Sequence, residues 1–196
     1  MVTEAQFPFL AEKGHVVSLV GGGGKTTLLY ALSEHCARRG WRVLAGTTTH
    51  IRQPKQNFAA ADADVKALWA AGALAVRGTP DGSGKLTAPP PRQLEYWMKK
   101  ADAVFLEAAG AKRLPCKAPA AHEPVILPES DIVLAVAGLS AVEKPLETVC
   151  FRLETACALL GAAPETLLTP ELLARLLASE AGGRKQVGGR QFYAVL

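Results

Sequence analysis

Short runs of nearly continuous apolar residues alternate along this chain with longer segments whose apolar residues recur at helical spacing. The short runs have the length and composition of strands that are buried on both faces. They lie at residues 15–20, 41–45, 73–76, 103–106, 131–137 and 192–196. The longer segments predict helices at residues 25–39, 62–71, 92–100, 153–160 and 170–178. This alternation predicts an α/β fold, in which a mostly parallel sheet carries helices on both faces.

The chain has 196 residues, of which 49% are apolar, and this favours one domain over residues 1–196. A glycine-containing turn at residues 81–84 and three prolines at 89–91 interrupt the pattern, so a small insert is predicted over residues 78–100. The proline-rich residues 108–130 and the glycine-rich residues 182–190 are predicted to be loops, the second of them flexible.

Composition excludes several classes of partner. The net charge is only +4, and Lys and Arg are spread along the chain without interleaved aromatic residues, so we expect no nucleic-acid partner. No stretch approaches the roughly 20 apolar residues of a membrane helix, and the start lacks the features of a signal peptide. We therefore expect a cytoplasmic protein without a membrane partner. The cysteines, Cys36, Cys116, Cys150 and Cys157, form no C-x-x-C pair and are interpreted as reduced core thiols.

A run of four glycines separates the first predicted strand from the first predicted helix, and Lys-Thr-Thr follows it. Glycines let backbone N–H groups curl around a phosphate, and the start of the helix adds the positive end of its dipole. The segment therefore predicts a site for ATP or GTP with Mg²⁺. Its predicted ligand contacts are Gly21, Gly22, Gly23, Gly24, Lys25, Thr26 and Thr27.

The roles of the polar residues follow from the same pattern. Lys25 is expected to reach the β and γ phosphates, Thr26 to bind Mg²⁺ through its hydroxyl, and Thr27 to support the α phosphate. The strict pattern G-x-x-x-x-G-K-[ST] is not met, because Leu19 stands where the first glycine belongs. A purely structural turn is one alternative. A dinucleotide-binding loop is another, but that motif does not require a lysine followed by hydroxyls.

Two further strands are predicted to end on polar residues. Glu107 follows a buried strand, and an acid at such a carboxyl end can hold Mg²⁺ or orient water, although it can also cap the next loop. Thr47 and Thr48 follow the second strand, where their hydroxyls are candidates for the γ phosphate or the metal ion; they can equally continue an edge strand. We therefore predict Lys25, Glu107 and Thr48 as catalytic residues, Thr26 and Glu107 as metal ligands, and Thr47 as a ligand contact.

A basic loop follows Glu107. It contains Lys112, Arg113, Lys117 and His122 among prolines, and such a stiffened cationic loop is a candidate pocket for an anion beside the nucleotide. The alternative is that these charges are simply solvated. A metal site made by Cys116 and His122 would lack further ligands and is disfavoured.

With these residues the sequence resembles the selenium-dependent hydroxylase accessory proteins of the YqeC type. The resemblance rests on residues 20–27, 47–51, 106–124, 136–139 and 144–146. In that family the segment after the third motif strand usually reads Glu-Ala-Asp-Gly-Ala-Lys, and Ala109 stands here in place of the aspartate. Family members are expected to continue into an Asn-Lys-x-Asp-like element that reads guanine. The chain stops at Leu196 without one, which predicts a shortened protein and leaves ATP and GTP both open.

The resemblance implies a P-loop NTPase-like three-layer fold and a role in maturation, or in insertion of the selenium cofactor, for selenium-dependent molybdenum hydroxylases. On this basis the leading hypothesis is a slow NTPase, whose loop from Lys112 to His122 contacts a cofactor, a phosphorylated intermediate or the client enzyme. The alternatives are a small-molecule kinase and a nucleotide-sensing adaptor that does not hydrolyse nucleotide, the latter because Ala109 replaces an acid.

Overall fold

The computed structural model describes residues 2–196 and confirms the α/β class. Eleven strands are present in these residues: Val16–Gly21 (β1), Val43–Thr47 (β2), His50–Arg52 (β3), Ala75–Arg77 (β4), Thr79–Pro80 (β5), Lys85–Thr87 (β6), Ala103–Glu107 (β7), Cys116–Lys117 (β8), Ile132–Val136 (β9), Cys150–Phe151 (β10) and Gln191–Val195 (β11). The helices are Lys25–Arg38 (α1), Asp62–Ala70 (α2), Pro91–Met98 (α3), Leu146–Val149 (α4), Leu153–Leu160 (α5) and Pro170–Ala178 (α6). Short 3-10 helices cover Pro8–Ala11 and Leu139–Ala141.

The central sheet has six strands in the order β11-β9-β1-β7-β2-β4. The pairs β9 with β11, β2 with β7 and β2 with β4 are all parallel. Every residue of β2, β7 and β9 is buried, so both faces of these strands are covered, as the unbroken apolar runs predicted. Because β2 and β7 are parallel, the residues that end these two strands, Thr47 and Glu107, lie at the same edge of the sheet in unit 1.

The chain divides into two compact units. Unit 1 comprises residues 1–18, 26–107 and 127–131, and unit 2 comprises residues 19–25, 108–126 and 132–196. The prediction of a single domain over residues 1–196 stays a prediction.

Unit 1 holds the core beneath α2 and α3. Leu44, Val104 and Leu106 of the sheet pack in one buried cluster with Val65 of α2 and Trp97 of α3. The predicted insert, residues 78–100, contains β5, β6 and α3. Strands β3, β6 and β5 form a separate three-stranded antiparallel sheet that the sequence pattern did not predict, since strands of two or three residues are too short to show a period.

Unit 2 holds the second core. Val133 and Ala135 of β9 belong to a buried cluster with Ala156 of α5 and with Leu173 and Leu176 of α6. The predicted loop 108–130 contains the two-residue strand β8, which pairs in parallel with β10. The expectation of a strandless loop was therefore wrong at these residues.

Local signals explain where the helices begin and end. In α1 the buried Leu29, Leu32 and Cys36 recur at helical spacing, and Gly40 follows in the left-handed conformation with φ of +77°. Helix α6 begins after Thr169, whose hydroxyl accepts the N–H of Leu172 at 3.3 Å. No helix within residues 2–196 is long and apolar enough to cross a membrane.

Candidate functional site

The glycine loop lies between the last residue of β1, Gly21, and the first residue of α1, Lys25. Two of its N–H groups are engaged within unit 2: Gly22 donates to the Val136 carbonyl at 2.7 Å, and Gly23 donates to the Pro115 carbonyl at 3.1 Å. The loop is therefore fastened to the end of β9 and to the segment that precedes β8.

Packing itself requires glycine in this loop. A Cβ atom added at Gly22 would lie closer than 3.0 Å to the Pro115 carbonyl group and to the Cα atom of Cys116. Gly24 is exposed, but its φ of +93° is a conformation that other L residues rarely adopt. The structural explanation of the glycines thus holds at Gly22, where packing alone requires glycine.

The side chain of Lys25 is folded onto the loop. The residue is only 3% exposed, and its ammonium group donates to the carbonyls of Gly21 at 2.8 Å and Gly22 at 3.0 Å. Carbonyl contacts hold a buried cation that can exchange them for the stronger charge of a phosphate. The structure thus places the Lys25 ammonium group at the loop, and its role toward the β and γ phosphates stays a prediction.

In unit 1 the structure brings together the two predicted metal ligands. Glu107 ends β7 and is 7% exposed, and its Oε2 accepts the Thr26 hydroxyl at 2.7 Å. Thr26 comes directly after Lys25 in the first turn of α1. A hydroxyl and a carboxylate in direct contact are the pair of oxygen ligands that Mg²⁺ accepts from proteins.

Thr47 has a local structural role. It lies opposite Glu107 in the register of β2 with β7, and its buried hydroxyl donates to the Glu107 carbonyl at 2.8 Å. The same oxygen accepts the Thr49 N–H at 2.9 Å, while the Thr48 N–H donates to the Glu107 carbonyl at 3.1 Å. Thr47 and Thr48 therefore fasten the end of β2 to the end of β7. His50, the first residue of β3, is exposed.

Tyr30 is a site residue that sequence reasoning missed. Its hydroxyl is buried and has no hydrogen-bond partner within residues 2–196. Burial, followed by the charge of Glu107, raises its pKa to about 12. Tyr30 follows Thr26 by one helical turn, and that spacing is the sequence signal by which it could have been found.

The predicted residues of the basic loop differ in their exposure to solvent. Lys112, Arg113 and His122 are exposed, and the first two have left-handed backbones with φ of +46° and +66°. Lys117, by contrast, is buried and places its ammonium group 2.8 Å from Glu123 Oε2. The alternative that all these charges are solvated is therefore wrong for Lys117, which is buried against a carboxylate of the same loop, and the anion pocket stays a prediction.

Glu123 also contacts Arg152, a residue that the sequence did not single out. Arg152 Nη1 lies 2.7 Å from the same Oε2 atom, and the guanidinium group stacks over Phe151 at 4.4 Å from the ring centroid. Burial would raise the pKa of Glu123, but Lys117, the Ala120 N–H and Arg152 together hold it below its usual range. Lys112 Nζ lies 5.2 Å from the Phe151 centroid. Three cations, Lys112, Lys117 and Arg152, therefore lie over the Phe151 ring, and one carboxylate, Glu123, contacts two of them.

A comparison with known families now identifies the relatives of the chain. The sequence model of the family described as YqeC protein matches residues 17–154. The chain belongs to the YqeC family. An uncharacterised protein YqeC of Escherichia coli (strain K12) is 33% identical over 131 residues, which cover 63% of this chain and 51% of that protein. The chain thus spans about half the length of the curated relative that it matches. No solved structure matches it.

The region matched by the YqeC family contains the glycine loop, Glu107, the basic loop and Arg152. It also contains Ala109, the position at which the resemblance leads us to expect aspartate. Ala109 is buried and lines a pocket of unit 2 together with Gly21 and Lys117.

Proposed function

We propose that this YqeC-family chain binds ATP or GTP with Mg²⁺ and holds the phosphates at its glycine loop. The observation that carries the proposal is the 2.7 Å hydrogen bond from the Thr26 hydroxyl to the Glu107 carboxylate. These two residues come from distant parts of the sequence, and phosphate-loop chemistry asks for a hydroxyl and an acid beside one metal ion.

The loop fits the chemistry of a phosphate. Helix α1 begins at Lys25, so the backbone N–H groups of its first turn have no helical acceptors and carry the positive end of the dipole. Lys25 adds a full charge that now contacts the Gly21 and Gly22 carbonyls. The Gly23 N–H donates to Pro115, so a phosphate that uses this N–H must displace the Pro115 carbonyl.

The acid and hydroxyl fit Mg²⁺ as partners of a bound nucleotide. Within residues 2–196 no three His, Cys, Asp or Glu side chains converge as a metal cluster. Mg²⁺ commonly keeps several waters and takes only one or two carboxylates together with substrate phosphates. Thr26 and Glu107 would hold the ion in this way, and the ion would neutralise charge on the phosphates.

The proposed biological role is slow nucleotide hydrolysis that assists maturation, or selenium-cofactor insertion, of selenium-dependent molybdenum hydroxylases. It follows from the resemblance stated above. The exposed cations Lys112 and Arg113 support a second, anionic or protein ligand beside unit 2. A kinase acting on a small molecule uses the same elements, and Ala109 supports the alternative of a nucleotide-sensing adaptor.

Calorimetry tests the binding proposal. Hydrogen bonds to charged groups contribute about 1.5–3 kcal/mol, so Lys25→Ala should weaken ATP or GTP binding by about one to two decades. The control is Lys66→Ala, which removes an exposed lysine of α2 and should leave the affinity unchanged. Equal affinities for the original chain and Lys25→Ala would refute the proposal.

Product analysis separates the proposed activities. Release of phosphate without a second substrate supports hydrolysis, and a phosphorylated product that requires a second substrate supports the kinase. The adaptor alternative expects turnover only after Ala109→Asp restores the acid. Steady hydrolysis by the original chain rules the adaptor out.

A further inference from the structure

Two cysteines face each other in unit 2. Cys116 of β8 and Cys150 of β10 are direct partners in the parallel register of these strands. Both residues are buried, with 1% and 3% of their surface exposed. Neighbouring strands lie about 4.8 Å apart, and disulfides usually join Cα atoms separated by about 4.4–6.8 Å. The pairing therefore has the backbone geometry of a disulfide, although both thiols are free.

The side chains are also in contact. A hydrogen bond from the Cys116 thiol, ahead of the effect of burial, lowers the pKa of Cys150, and the same bond together with burial raises the pKa of Cys116. Cys150 is thus the better thiolate and Cys116 the thiol beside it. This division of roles is the one that a pair of attacking and resolving cysteines needs.

The cysteine pair is joined to the glycine loop through backbone. Pro115, the residue before Cys116, accepts the Gly23 N–H at 3.1 Å and the Gly138 N–H at 2.8 Å. The Cα atom of Cys116 lies within 3.0 Å of where a Cβ at Gly22 would be. Movement of β8 away from β10 would therefore also move the carbonyl that fastens the loop.

We propose that Cys116 and Cys150 form a reversible disulfide that pins Pro115 against the glycine loop. Disulfide formation joins β8 to β10 covalently, so the Pro115 carbonyl separates less often from the Gly23 N–H. Reduction restores the freedom of β8.

The oxidant is a small peroxide, which suits a buried pair on two short strands that open locally. The Cys150 thiolate attacks one peroxide oxygen and becomes a sulfenic acid, while the other oxygen leaves as hydroxide and takes up a proton. The Cys116 sulfur then attacks the sulfenic sulfur, forms the S–S bond and releases water. Two thiols and one hydrogen peroxide give one disulfide and two waters, and a dithiol reductant reverses the change.

Peptide mapping of the peroxide-treated full chain tests the covalent step. We expect a Cys116–Cys150 linked peptide, and two titratable thiols instead of four after denaturation. Cys150→Ser should abolish the linked peptide, while Cys157→Ser, which changes a partly buried cysteine of α5, should leave it in place. A peptide that links Cys116 or Cys150 to Cys36 or Cys157 would overturn the proposal. So would Cys116 and Cys150 that both stay unmodified at a peroxide dose that oxidises Cys157.

Hydrogen exchange of the peptide that spans residues 20–25 tests the coupling without any nucleotide. We expect exchange in the oxidised chain to be slower by about threefold or more, because the hydrogen bond of the Gly23 N–H opens less often. Reduction should restore the original exchange rate. Unchanged exchange in the linked chain would overturn the coupling.

A consequence for binding rests on the proposed function: the disulfide should weaken ATP binding by about tenfold, because Pro115 keeps the Gly23 N–H from the phosphate. If the reduced chain binds no ATP or GTP, the proposed function fails, and the disulfide is still decided by the peptide map and the exchange rates. If the reduced and oxidised chains bind ATP equally, the inferred competition between Pro115 and phosphate is wrong.

Discussion

Glu107 in unit 1 and Glu123 in unit 2 are both buried carboxylates, with 7% and 8% of their surface exposed, but they contact different groups. Glu107 accepts a hydroxyl from Thr26, and Glu123 contacts the ammonium group of Lys117 and the guanidinium group of Arg152 through one oxygen. A hydroxyl beside a carboxylate leaves two oxygen ligands for a metal ion. Cations beside a carboxylate neutralise its charge, so that the carboxylate stabilises the fold. The contrast separates a candidate binding residue from a structural one.

Loss of the charge at Glu123 should have the largest effect on stability. Glu123→Gln leaves Lys117 buried without its compensating charge, and breaking a buried ion pair costs about 3–5 kcal/mol of unfolding free energy. Urea denaturation measures this cost. Glu129→Gln, at an exposed carboxylate, is the control and should change stability by less than about 0.5 kcal/mol. A similarly small change in stability for both variants would contradict the structural role assigned to Glu123.

The next largest loss of stability should come from adding a side chain at Gly22 in the glycine loop. In Gly22→Ala the added methyl meets the Pro115 carbonyl and the Cα atom of Cys116, so we expect a loss of about 1–3 kcal/mol by thermal or urea unfolding. Gly189→Ala is the matched control, because no heavy atom lies within 4 Å of the new methyl. Equal stability of the two variants would show that the loop packs less tightly than the structure indicates.

Substitution of Thr26 tests the proposed metal ligands, Thr26 and Glu107. Thr26→Val removes the hydroxyl that donates to Glu107. We expect nucleotide affinity in Mg²⁺ to fall by about tenfold, because one of the proposed metal ligands is lost. Affinity measured in EDTA serves as the control and should stay the same. A loss of equal size with and without Mg²⁺ would mean that Thr26 holds phosphate or fold rather than metal.

Acid should remove the stabilisation that the ion pairs of Glu123 provide, and this effect should be smallest near neutrality. The pKa of Glu123 is held below its usual range, so its ion pairs contribute fully above the unfolded value of about 4.3. That contribution is lost as pH falls through the lower folded pKa. The stability difference between the original chain and Glu123→Gln should therefore be constant from pH 5 to 7 and shrink below about pH 4. A difference that shrinks already between pH 7 and 5 would contradict this assignment.

Much of the fold is visible in the sequence, because its central elements have strong periodicity. The runs that became β7 and β9 are apolar at almost every position, as strands buried on both faces must be. The loop after β1 and the acid after β7 were found because glycines and a strand-end carboxylate have recognisable spacing. The sequence predicted Thr26 and Glu107 as ligands of one metal ion, and the hydrogen bond that joins them within unit 1 came from the structure.

The remaining features depend on long-range partners that no local pattern encodes. Lys117 was interpreted as a cation of a basic loop, because Arg152, which shares its partner Glu123, and the ring of Phe151 come from a separate part of the chain. Likewise, Cys116 and Cys150 become neighbours only through the two-residue strands β8 and β10. Strands of that length carry no hydrophobic period, so their pairing had to come from the structure.

The central claim is that phosphates are held at the glycine loop, and amide NMR during a titration with MgATP or MgGTP tests it most directly. We expect saturable shifts of the Gly23, Gly24 and Lys25 amides, as the Gly23 N–H leaves the Pro115 carbonyl and the start of α1 binds the phosphates. Nucleotide that leaves these amides unshifted, while shifting others or none, would contradict it.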